Sequence, residues 1–302
     1  MTREQEEALE VLRNHIGDVE ITDIVRPEGG WGNLNYRVET SAGAFIVTRC
    51  SETSEAELRD MVDLLVDLEI VGFPSPHLVP HLDGRLVSEW NSRPALVKHY
   101  IEGAIPRGVV ENDPSDFGEI AARFHIATRG RPISRPHDFG RAAFPAAEPF
   151  AASDPFAAWL GTMTGRFETA IDPLLPSGLV HGDLVLDNMV RSPDGALSII
   201  DLEDTCHETL IFELGMIVFT LAEADRWTAD LEGSAIEGYE RFRTLEEVEK
   251  VAIPLYVSYA ATAIAFVRFR ERRIDAGGRV EEGSWTEPQS IAEAAWTRFA
   301  AG

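Results

Sequence analysis

The sequence predicts an α+β protein of two lobes, in which a small lobe built on an antiparallel sheet precedes a larger, mostly helical lobe. Its 302 residues, 44% of them hydrophobic, are enough for about two compact units. Short strand-like stretches separated by glycine turns fill the first hundred residues. From Pro114 onward, apolar residues recur at helical spacing instead. We therefore expect lobes that span residues 1–100 and 101–302.

The amino-terminal lobe combines helical and strand patterns. Leu9 and Leu12 lie at helical spacing in the first predicted element, and the glycine-rich stretch 28–33 separates two strand-like stretches. Asp83-Gly84 indicates a hairpin turn. The predicted elements are, in order, a helix over residues 4–16, strands over 19–25 and 36–49, a helix over 54–70 and short strands within 77–100.

The carboxy-terminal lobe is predicted to be helical, with two short buried strands. Phe117, Ile120 and Phe124 share one face of a helix that starts near Pro114. The other predicted elements are helices over residues 155–172, 211–225 and 246–275, and strands at 179–180 and 196–200.

The net charge of −24 argues against two classes of partner. Nucleic acid binding needs clustered lysine and arginine to release counterions, and an anionic membrane surface repels an acidic protein in the same way. We expect neither partner. The acidity indicates a solvated, repulsive surface, and adaptation to high salt is a second interpretation that a salt series would test.

The remaining composition favours a cytoplasmic protein. The amino terminus is polar and acidic, unlike a signal peptide. The apolar stretches 211–221 and 251–267 are interrupted and fall short of the about 20 apolar residues that span a membrane, so we expect no membrane segment. Cys50 and Cys206 have no spacing that would indicate zinc or a disulfide framework. Nothing in the sequence indicates the oligomeric state.

The residues that point to chemistry lie between Leu179 and Asp204. A polar loop with Asp183 and Asn188 lies between two apolar strands, and the second strand ends at Asp201. Carboxylate and amide oxygens are the ligands that Mg²⁺ prefers when nucleotide phosphates complete its coordination shell. The pattern therefore indicates a site for a metal ion and phosphate groups.

Phosphoryl transfer suits this set of residues. It requires an aligned hydroxyl, a carboxylate that accepts its proton, and cations that neutralise charge on the phosphoryl oxygens. Asp183 and Asn188, five residues apart on one loop, can provide the carboxylate and a metal ligand. Asp201, thirteen residues beyond Asn188, can hold a second face of the metal.

Two runs of residues carry a resemblance to a known family. His181–Leu184 with Asn188, followed by Ile200–Asp204, resembles the signature of the aminoglycoside phosphotransferase and homoserine kinase-like family. Within it, Gly30–Tyr36 and Ala122–Gly130 are most similar to the homoserine kinase branch. The resemblance implies a protein-kinase-like fold that binds ATP and Mg²⁺ between its lobes, and an enzyme that phosphorylates the hydroxyl of a small molecule.

The resemblance also implies a role for each matching residue. Asp183 becomes the catalytic base, and His181 orders the loop. Asn188 and Asp201 become the metal ligands.

The glycine stretch that contains Gly30, Gly32 and Asn33 would fold over the nucleotide phosphates. Glycine lets backbone N–H groups approach phosphate oxygens that a side chain would keep away. The stretch lacks the last glycine of the dinucleotide fingerprint, and the chain contains no Gly-Lys-Ser or Gly-Lys-Thr. Neither a Rossmann fold nor a P-loop is therefore indicated.

The family's phosphate-binding lysine is missing from the strand that should present it. That strand reads Phe45–Arg49, and neither of the chain's two lysines lies on it. Because side chains alternate along a strand, either Thr48 or Arg49 faces the nucleotide, and only Arg49 could supply a fixed positive charge. Its ion-pair partner on the following helix would be Glu55 or Glu57.

Residues 94–103 form the predicted linker strand between the lobes. Adenine would bond there to main-chain groups, so Lys98 and Tyr100 on this stretch are assigned to nucleotide binding.

Three acidic residues and a group of arginines have open interpretations. Glu213 stands where the family usually has aspartate, and it would suit the start of a helix. Glu203 and Asp204 either add charge near the metal or form an exposed acidic pair, and the overall acidity favours the exposed pair.

The arginines near the end of the last predicted helix either bind a substrate carboxylate through two parallel hydrogen bonds or pair with acidic neighbours, and the pairing is the favoured interpretation. They are Arg268, Arg270, Arg272 and Arg273.

The first hypothesis for the acceptor is homoserine or a similar amino alcohol. An aminoglycoside, sugar or choline-type acceptor is the alternative within the same class. A nucleotide-binding regulatory protein without transfer activity is the alternative from another class, and the missing lysine motivates it.

Overall fold

The structure is a computed structural model that describes residues 1–27, 33–50, 53–106, 113–133, 135–224, 227–275 and 281–302. The chain divides into two compact units. The first comprises Met1–Ala104 and Ser192–Ile200, and the second comprises Ile105–Arg191 and Asp201–Gly302. The sequence did not indicate that Ser192–Ile200 joins the amino-terminal unit. The functional division into lobes 1–100 and 101–302 stays a prediction.

The amino-terminal unit contains the predicted antiparallel sheet. Its helices are α1 (Arg3–Ile16) and α2 (Glu55–Ile70), and the strands of its sheet are β1 (Ile21–Val25), β2 (Leu34–Thr40), β3 (Gly43–Arg49), β4 (Ser88–Trp90) and β5 (Arg93–His99). The strand order is β1-β2-β3-β5-β4, and every neighbouring pair is antiparallel. Both helices and the antiparallel sheet were predicted.

Side chains at the helix starts and in the core explain why these elements form. α1 and α2 each begin with a capping box, in which Thr2 and Ser54 exchange hydrogen bonds with Gln5 and Glu57, respectively. The apolar face of α1 packs on one face of the sheet. The residues of this core include Leu9, Leu12, Val38, Val47 and Trp90.

The hairpin turn predicted at Asp83-Gly84 is wrong. β4 and β5 are joined at Asn91 and Ser92, which have φ angles of 52° and 60°. Two consecutive residues with positive φ are typical of a tight hairpin turn, and asparagine tolerates this conformation. Asp83 instead closes a local turn, where its side chain accepts the Arg85 N–H at 3.1 Å. A turn signal does not by itself show which strands the turn joins.

The carboxy-terminal unit is mostly helical, as predicted. Its helices are α3 (Asp113–Ala127), α4 (Pro155–Ala170), α5 (Ile211–Ala224), α6 (Ala229–Glu240), α7 (Glu247–Phe269) and α8 (Thr286–Ala301), and its strands are β6 (Ser177–Val180), β7 (Met189–Arg191) and β9 (Cys206–Thr209). β8 (Leu197–Ile199) belongs to the segment that joins the other unit. β6 pairs with β9 in antiparallel orientation. The predicted helices included neither α6 nor α8, and in α6 the residues Gly233 and Gly238 weaken the helical signal.

Two buried helices form the core of the carboxy-terminal unit. Every residue of α5 from Ile211 to Ala222 is buried, as expected for a helix that is apolar all round. A Cβ atom on Gly215 would lie 2.4 Å from the carbonyl oxygen of Tyr256, so α5 and α7 approach closely only because this residue is glycine. Within the described part of the chain, Glu247–Ile274 is long and apolar enough to cross a membrane, but 78% of its most apolar window is buried inside the structure.

Candidate active site

The loop between β6 and β7 carries the predicted catalytic residues. His181 is fully buried and Asp183 is half-buried. A short helical turn, Leu186–Asn188, closes the loop before β7 begins. Main-chain hydrogen bonds stabilise it, since the Val185 N–H donates to the Asp183 oxygen at 2.9 Å and the Asn188 N–H donates to the Val185 oxygen at 3.0 Å. The loop is therefore a compact local structure.

Asp183 and Asn188 are in direct contact. The Nδ2 atom of Asn188 donates to Oδ2 of Asp183 at 2.9 Å and to the Asp183 main-chain oxygen at 2.8 Å. Because both bonds use the amide nitrogen, the Oδ1 atom of Asn188 keeps its lone pairs for another partner. The contact orients the Asp183 carboxylate and brings together the two residues that the sequence placed on one loop.

Burial raises the pKa of the Asp183 carboxyl group from 3.8 to about 6. The hydrogen bond from Asn188 acts in the opposite direction, and the negative charges of Glu213 and Asp187 raise the pKa further. A carboxylate with this pKa is ionised at neutral pH, yet it accepts a proton more readily than an ordinary aspartate.

The first turn of α5 supports the start of the loop. Glu213 is fully buried and accepts a hydrogen bond from the His181 main-chain N–H. Its place near the amino-terminal end of the helix favours a negative charge. Further along α5, the Thr220 hydroxyl accepts the Leu186 N–H at 3.2 Å. The sequence indicated only that Glu213 lies near the start of a helix, and it gave no sign of Thr220. Both hydrogen bonds join elements that are distant in sequence, so local patterns could not predict them.

A chain of buried polar groups continues from Glu213. The Nε2 atom of His125 lies 3.8 Å from Oε2 of Glu213, and its Nδ1 atom lies 2.7 Å from the Tyr239 hydroxyl. Arg243 donates to the same hydroxyl at 3.3 Å and to Glu249 at 2.7 Å. Pairing Arg243 with the fully buried Glu249 offsets part of the cost of burying both charges. His125, for which the sequence predicted a structural role, lies inside this network.

Gly182 brings the loop against the turn that follows Asp201. Its φ is +85°, and a Cβ atom there would lie 2.4 Å from the Asp204 carbonyl oxygen. Asp201 is exposed and has left-handed backbone angles, φ 63° and ψ 57°, at the start of the short turn Leu202–Asp204. Among residues other than glycine, aspartate and asparagine adopt this conformation most readily, and left-handed residues are found often at functional sites.

Asp204 is less exposed than the sequence suggested. Its side chain is 25% exposed and lies 3.7 Å from Nη2 of Arg135. Burial and the negative charge of Asp183 raise the pKa of Asp204 to about 6, against the opposing effect of the Arg135 guanidinium. The interpretation of Asp204 as part of an exposed acidic pair is therefore wrong. Its carboxylate adds negative charge near Asp183.

The Glu208 carboxylate, whose side chain is 18% exposed, is satisfied by its neighbours. Oε2 of Glu208 lies 3.2 Å from Nδ1 of His137 and accepts the Tyr259 hydroxyl at 3.1 Å. Burial alone would raise the pKa of Glu208, but the hydrogen bonds from His137 and the Thr209 N–H outweigh it and lower the pKa. Glu208 is therefore held in its charged form.

The predicted nucleotide-binding residues belong to the amino-terminal unit. Gly30 and Gly32 lie outside the described residues, and Asn33 immediately precedes β2. Lys98 lies on β5, opposite Ile46 of β3. Tyr100 follows β5, and the Arg37 guanidinium lies 4.2 Å from the centre of its ring. Their roles in nucleotide binding stay predictions.

β3 presents Thr48 and Arg49 on opposite faces of the sheet, as alternation requires. Thr48 is fully buried, and its hydroxyl donates to Oδ1 of Asn35 at 2.7 Å. Arg49 shares the face of the buried Val47, and its guanidinium lies 5.5 Å from the centre of a Trp90 ring. The two carboxylates proposed as its partners have other contacts: Glu55 pairs with Arg59 at 2.9 Å, and Glu57 belongs to the capping box of α2.

The arginines near the end of α7 pair with acidic neighbours, which was the favoured interpretation. Arg268 donates to both carboxylate oxygens of Glu223, at 2.6 and 3.1 Å. Arg273 donates to Glu282 at 2.5 Å. These guanidinium groups are engaged within the protein.

Asn188 and Asp201 each carry an oxygen donor suited to a metal ion that takes its remaining ligands from phosphate and water, and their role as metal ligands stays a prediction. Among the residues that the structure describes, no three His, Cys, Asp or Glu side chains form a group that could hold a metal on its own. Mg²⁺ is commonly bound by one or two protein oxygens together with nucleotide phosphates, rather than by a cage made of protein alone. The amide oxygen of Asn188 and the exposed carboxylate of Asp201 are donors of this kind.

Sequence comparison finds relatives that extend over most of the chain. A homoserine kinase of Methylorubrum populi is 28% identical over 299 residues, which cover 94% of this chain and 91% of that protein. A homoserine kinase of Methylobacillus flagellatus is 28% identical over 249 residues, which cover 80% of this chain and 77% of that protein.

Solved structures with the same fold include other small-molecule kinases. A microcompartment-associated aminopropanol kinase superimposes with a TM-score of 0.70 at 19% identity, covering 98% of this chain and 96% of that chain. An amicoumacin kinase superimposes with a TM-score of 0.70 at 14% identity, covering 98% of this chain and 94% of that chain. At these identities the similarity shows the fold alone, and it confirms the predicted kinase-like architecture.

The family profile described as the phosphotransferase enzyme family matches residues 23–252, which is more than half of the chain. The matched range includes Asp183, Asn188 and Asp201. These findings agree with the resemblance seen in the sequence, and the chain therefore belongs to the phosphotransferase enzyme family.

Proposed function

We propose that this ATP-dependent phosphotransferase transfers the γ-phosphoryl group of Mg-ATP to the hydroxyl of homoserine, in the cytoplasm. The observation that carries the proposal is the 28% identity to a homoserine kinase over 94% of this chain and 91% of the relative. A similarity that extends over both chains includes the parts that select the acceptor as well as those that bind nucleotide. The relatives are named as kinases, which gives no support to the alternative of an inactive regulatory protein.

In this proposal Asp183 is the catalytic base. Its pKa of about 6 leaves it ionised at neutral pH, where it accepts the proton of the acceptor hydroxyl as the oxygen attacks phosphorus. Asn188 fixes the direction of the carboxylate through its bond to Oδ2 of Asp183. The other Asp183 oxygen, Oδ1, is then the natural position for the incoming hydroxyl.

Asn188 and Asp201 would hold Mg²⁺ through Oδ1 of the amide and through the carboxylate. When bound, Mg²⁺ neutralises the charge that develops on the phosphoryl oxygens. We assign nucleotide binding to residues of the amino-terminal unit. None of them is a phosphate-binding lysine on β3, because that strand contains no lysine. They are Gly30, Gly32, Asn33, Arg49, Lys98 and Tyr100.

Two residues position the base without touching the substrate. The main-chain N–H of His181 donates a hydrogen bond to Glu213, and this contact fixes the point where β6 passes into the loop. The Thr220 hydroxyl accepts a hydrogen bond from the Leu186 N–H and so supports the far side of the same loop. Correct alignment of the base contributes strongly to rate, since small displacements of reacting groups are costly.

The charge around Asp183 favours an acceptor that carries an ammonium group. Asp204 places a second carboxylate near Asp183, whose negative charge raises the pKa of Asp204. A cationic amino group bound between them would relieve this repulsion. Homoserine and other amino alcohols meet this condition, whereas a neutral sugar does not.

An acceptor screen tests the proposal. The enzyme is incubated with ATP and Mg²⁺ and with homoserine, 1-amino-2-propanol, choline or an aminoglycoside, and the phosphorylated product is identified by phosphorus NMR. We expect the highest kcat/KM with homoserine. 2-Aminobutyrate, which is homoserine without its hydroxyl, is the matched control and should give no product.

Two results would contradict the proposal in different ways. Turnover of another acceptor without turnover of homoserine would make the acceptor wrong and leave the reaction class intact. No product with any hydroxyl compound would support the inactive alternative.

A further inference from the structure

A cavity of about 230 Å³ lies in the carboxy-terminal unit, at the end of α3 and against the beginning of β6. Its walls include His125 and Ile126 on α3, Arg129 just after that helix, and Leu179 on β6. Asp183, Asn188 and Asp201 do not line it. The cavity is therefore separate from the residues assigned to phosphoryl transfer.

The charged side chains in the cavity wall are all basic. Arg129 and Arg243 line it, and no carboxylate side chain does, although the chain has 51 acidic residues against 27 lysines and arginines. A concave surface lined by one sign of charge focuses the electrostatic field and attracts the opposite sign. In this acidic protein, the cavity wall favours an anion.

The two arginines differ in their present contacts. Arg243 is 14% exposed and is already paired with Glu249 at 2.7 Å. Arg129 is exposed, and within the described ranges of the chain it forms no ion pair. The Arg129 guanidinium can therefore offer a carboxylate two parallel hydrogen bonds.

The negative end of the α3 dipole does not cancel this attraction. Two of the last four carbonyl groups of α3, those of Phe124 and Ile126, already accept main-chain hydrogen bonds, which reduces their partial charge toward the cavity. The Phe124 oxygen accepts the Thr128 N–H at 3.0 Å, and the Ile126 oxygen accepts the Arg129 N–H at 3.4 Å. The Thr128 oxygen accepts the Arg131 N–H at 3.1 Å.

The remaining wall and the volume limit the size and shape of the ligand. Ile126, which is 41% exposed, lines the cavity together with Leu179 and Leu210, so part of the surface is apolar. Pockets for drug-sized ligands measure about 300–1,000 Å³, and this cavity is smaller. A short aliphatic chain fits these walls, and a nucleotide is too large.

We propose that this cavity is a binding site for a small amphipathic carboxylate, with the anionic group on Arg129 and the aliphatic part against Ile126, Leu179 and Leu210. The site is additional to the phosphotransferase site and does not depend on which acceptor is phosphorylated.

Titration of the whole protein with isovalerate tests the proposal. Binding is followed by the backbone amide NMR signals of residues 177–179, which line the cavity. We expect saturable shifts at millimolar concentration. Isoamyl alcohol has the same aliphatic chain without the charge, and inorganic phosphate has charge without the chain, so both should bind more weakly.

A pair of arginine variants locates the binding. Arg129→Gln removes the cation but keeps a polar side chain that donates hydrogen bonds, and losing two charge-assisted hydrogen bonds should weaken isovalerate binding by about tenfold or more. Arg241→Gln makes the same change of net charge at an arginine that is 55% exposed, pairs with Glu119 and lies outside the cavity wall. This control should bind isovalerate like the natural protein.

Three outcomes would overturn the proposal. The first is the absence of saturable shifts in the natural protein. The second is unchanged affinity in Arg129→Gln, and the third is an equal loss in both variants, which would show an effect of net charge alone. Because both arginines are exposed, we expect both variants to fold, and equal Tm values would confirm it.

Discussion

At the residue scale, the raised pKa that suits Asp183 for its proposed role as a base carries a cost in stability. Its pKa is raised from 3.8 to about 6, so the folded protein holds the proton more tightly than the unfolded chain does. The stabilising contribution is full below pH about 4 and is lost as the pH rises through about 6. At neutral pH the ionised carboxylate therefore destabilises the fold. Asp204, with its pKa also raised to about 6, acts in the same direction.

Replacing Asp183 by asparagine should separate the two effects. Asp183→Asn removes the proposed base, so we expect kcat/KM to fall by about 10²- to 10⁴-fold, while ATP still binds. Since it also removes a half-buried charge whose ionised form is disfavoured, Tm at pH 7 should stay equal or rise. Steady-state kinetics, nucleotide titration and thermal unfolding measure the three quantities.

Asp194→Asn is a matched control with the opposite expectation for stability. Hydrogen bonds from Ser192 and from the Ala196 N–H lower the pKa of the exposed Asp194, so its ionised form is the favoured one in the folded protein. The change should slightly lower stability and leave turnover intact. A large loss of Tm in Asp183→Asn, or retained turnover, would argue against the proposed role of Asp183 as a half-buried base.

At the scale of elements, local patterns could be predicted, but contacts between distant elements could not. The contact of Asp183 with Asn188 spans five residues on one loop, so sequence spacing was sufficient to predict it. The bond from His181 to Glu213 spans 32 residues and exists only because α5 packs beneath the loop. No periodicity or motif contains that information. The burial of Asp204 escaped prediction for the same reason, because it depends on how the turn after Asp201 meets Gly182.

The close approach at Gly182 leads to a prediction about the loop and the turn as elements. In Gly182→Ala, the new Cβ would meet the Asp204 carbonyl oxygen at 2.4 Å, and the left-handed backbone would also be strained. The loop and the turn must separate, so we expect losses in both the free energy of unfolding and kcat. Urea unfolding and steady-state kinetics measure them.

Gly195→Ala isolates the backbone strain. Gly195 has a φ of +92°, similar to that of Gly182, but a Cβ there would meet nothing within 4 Å. The strain alone should cost about 1–2 kcal/mol and leave kcat unchanged. Equal effects of the two substitutions on stability and kcat would mean that the loop and the turn do not approach as the structure indicates.

At the scale of the whole molecule, the excess of acid shapes the balance of charges. Many arginines are already paired with carboxylates, as in the contacts of Arg268 with Glu223 and of Arg298 with Glu232, at 2.6 and 2.5 Å. With 51 acidic residues against 27 lysines and arginines, many carboxylates remain that no cation can neutralise. Repulsion among these groups opposes folding.

Salt should therefore stabilise the protein. Raising KCl from about 0.1 to about 1 M shortens the Debye length from about 10 to about 3 Å, which screens repulsion between exposed carboxylates more than it weakens close or partly buried ion pairs. We expect the free energy of unfolding at pH 7.5 to increase. K₂SO₄ at equal ionic strength is the control, because it screens charges to the same extent as KCl. Sulfate is also excluded from the protein surface, which adds a further increase in the free energy of unfolding. A decrease of stability in KCl would show that attraction within the ion pairs dominates the electrostatic free energy, rather than repulsion among the excess carboxylates. Such a result would also remove the physical basis for interpreting the acidity as an adaptation to high salt.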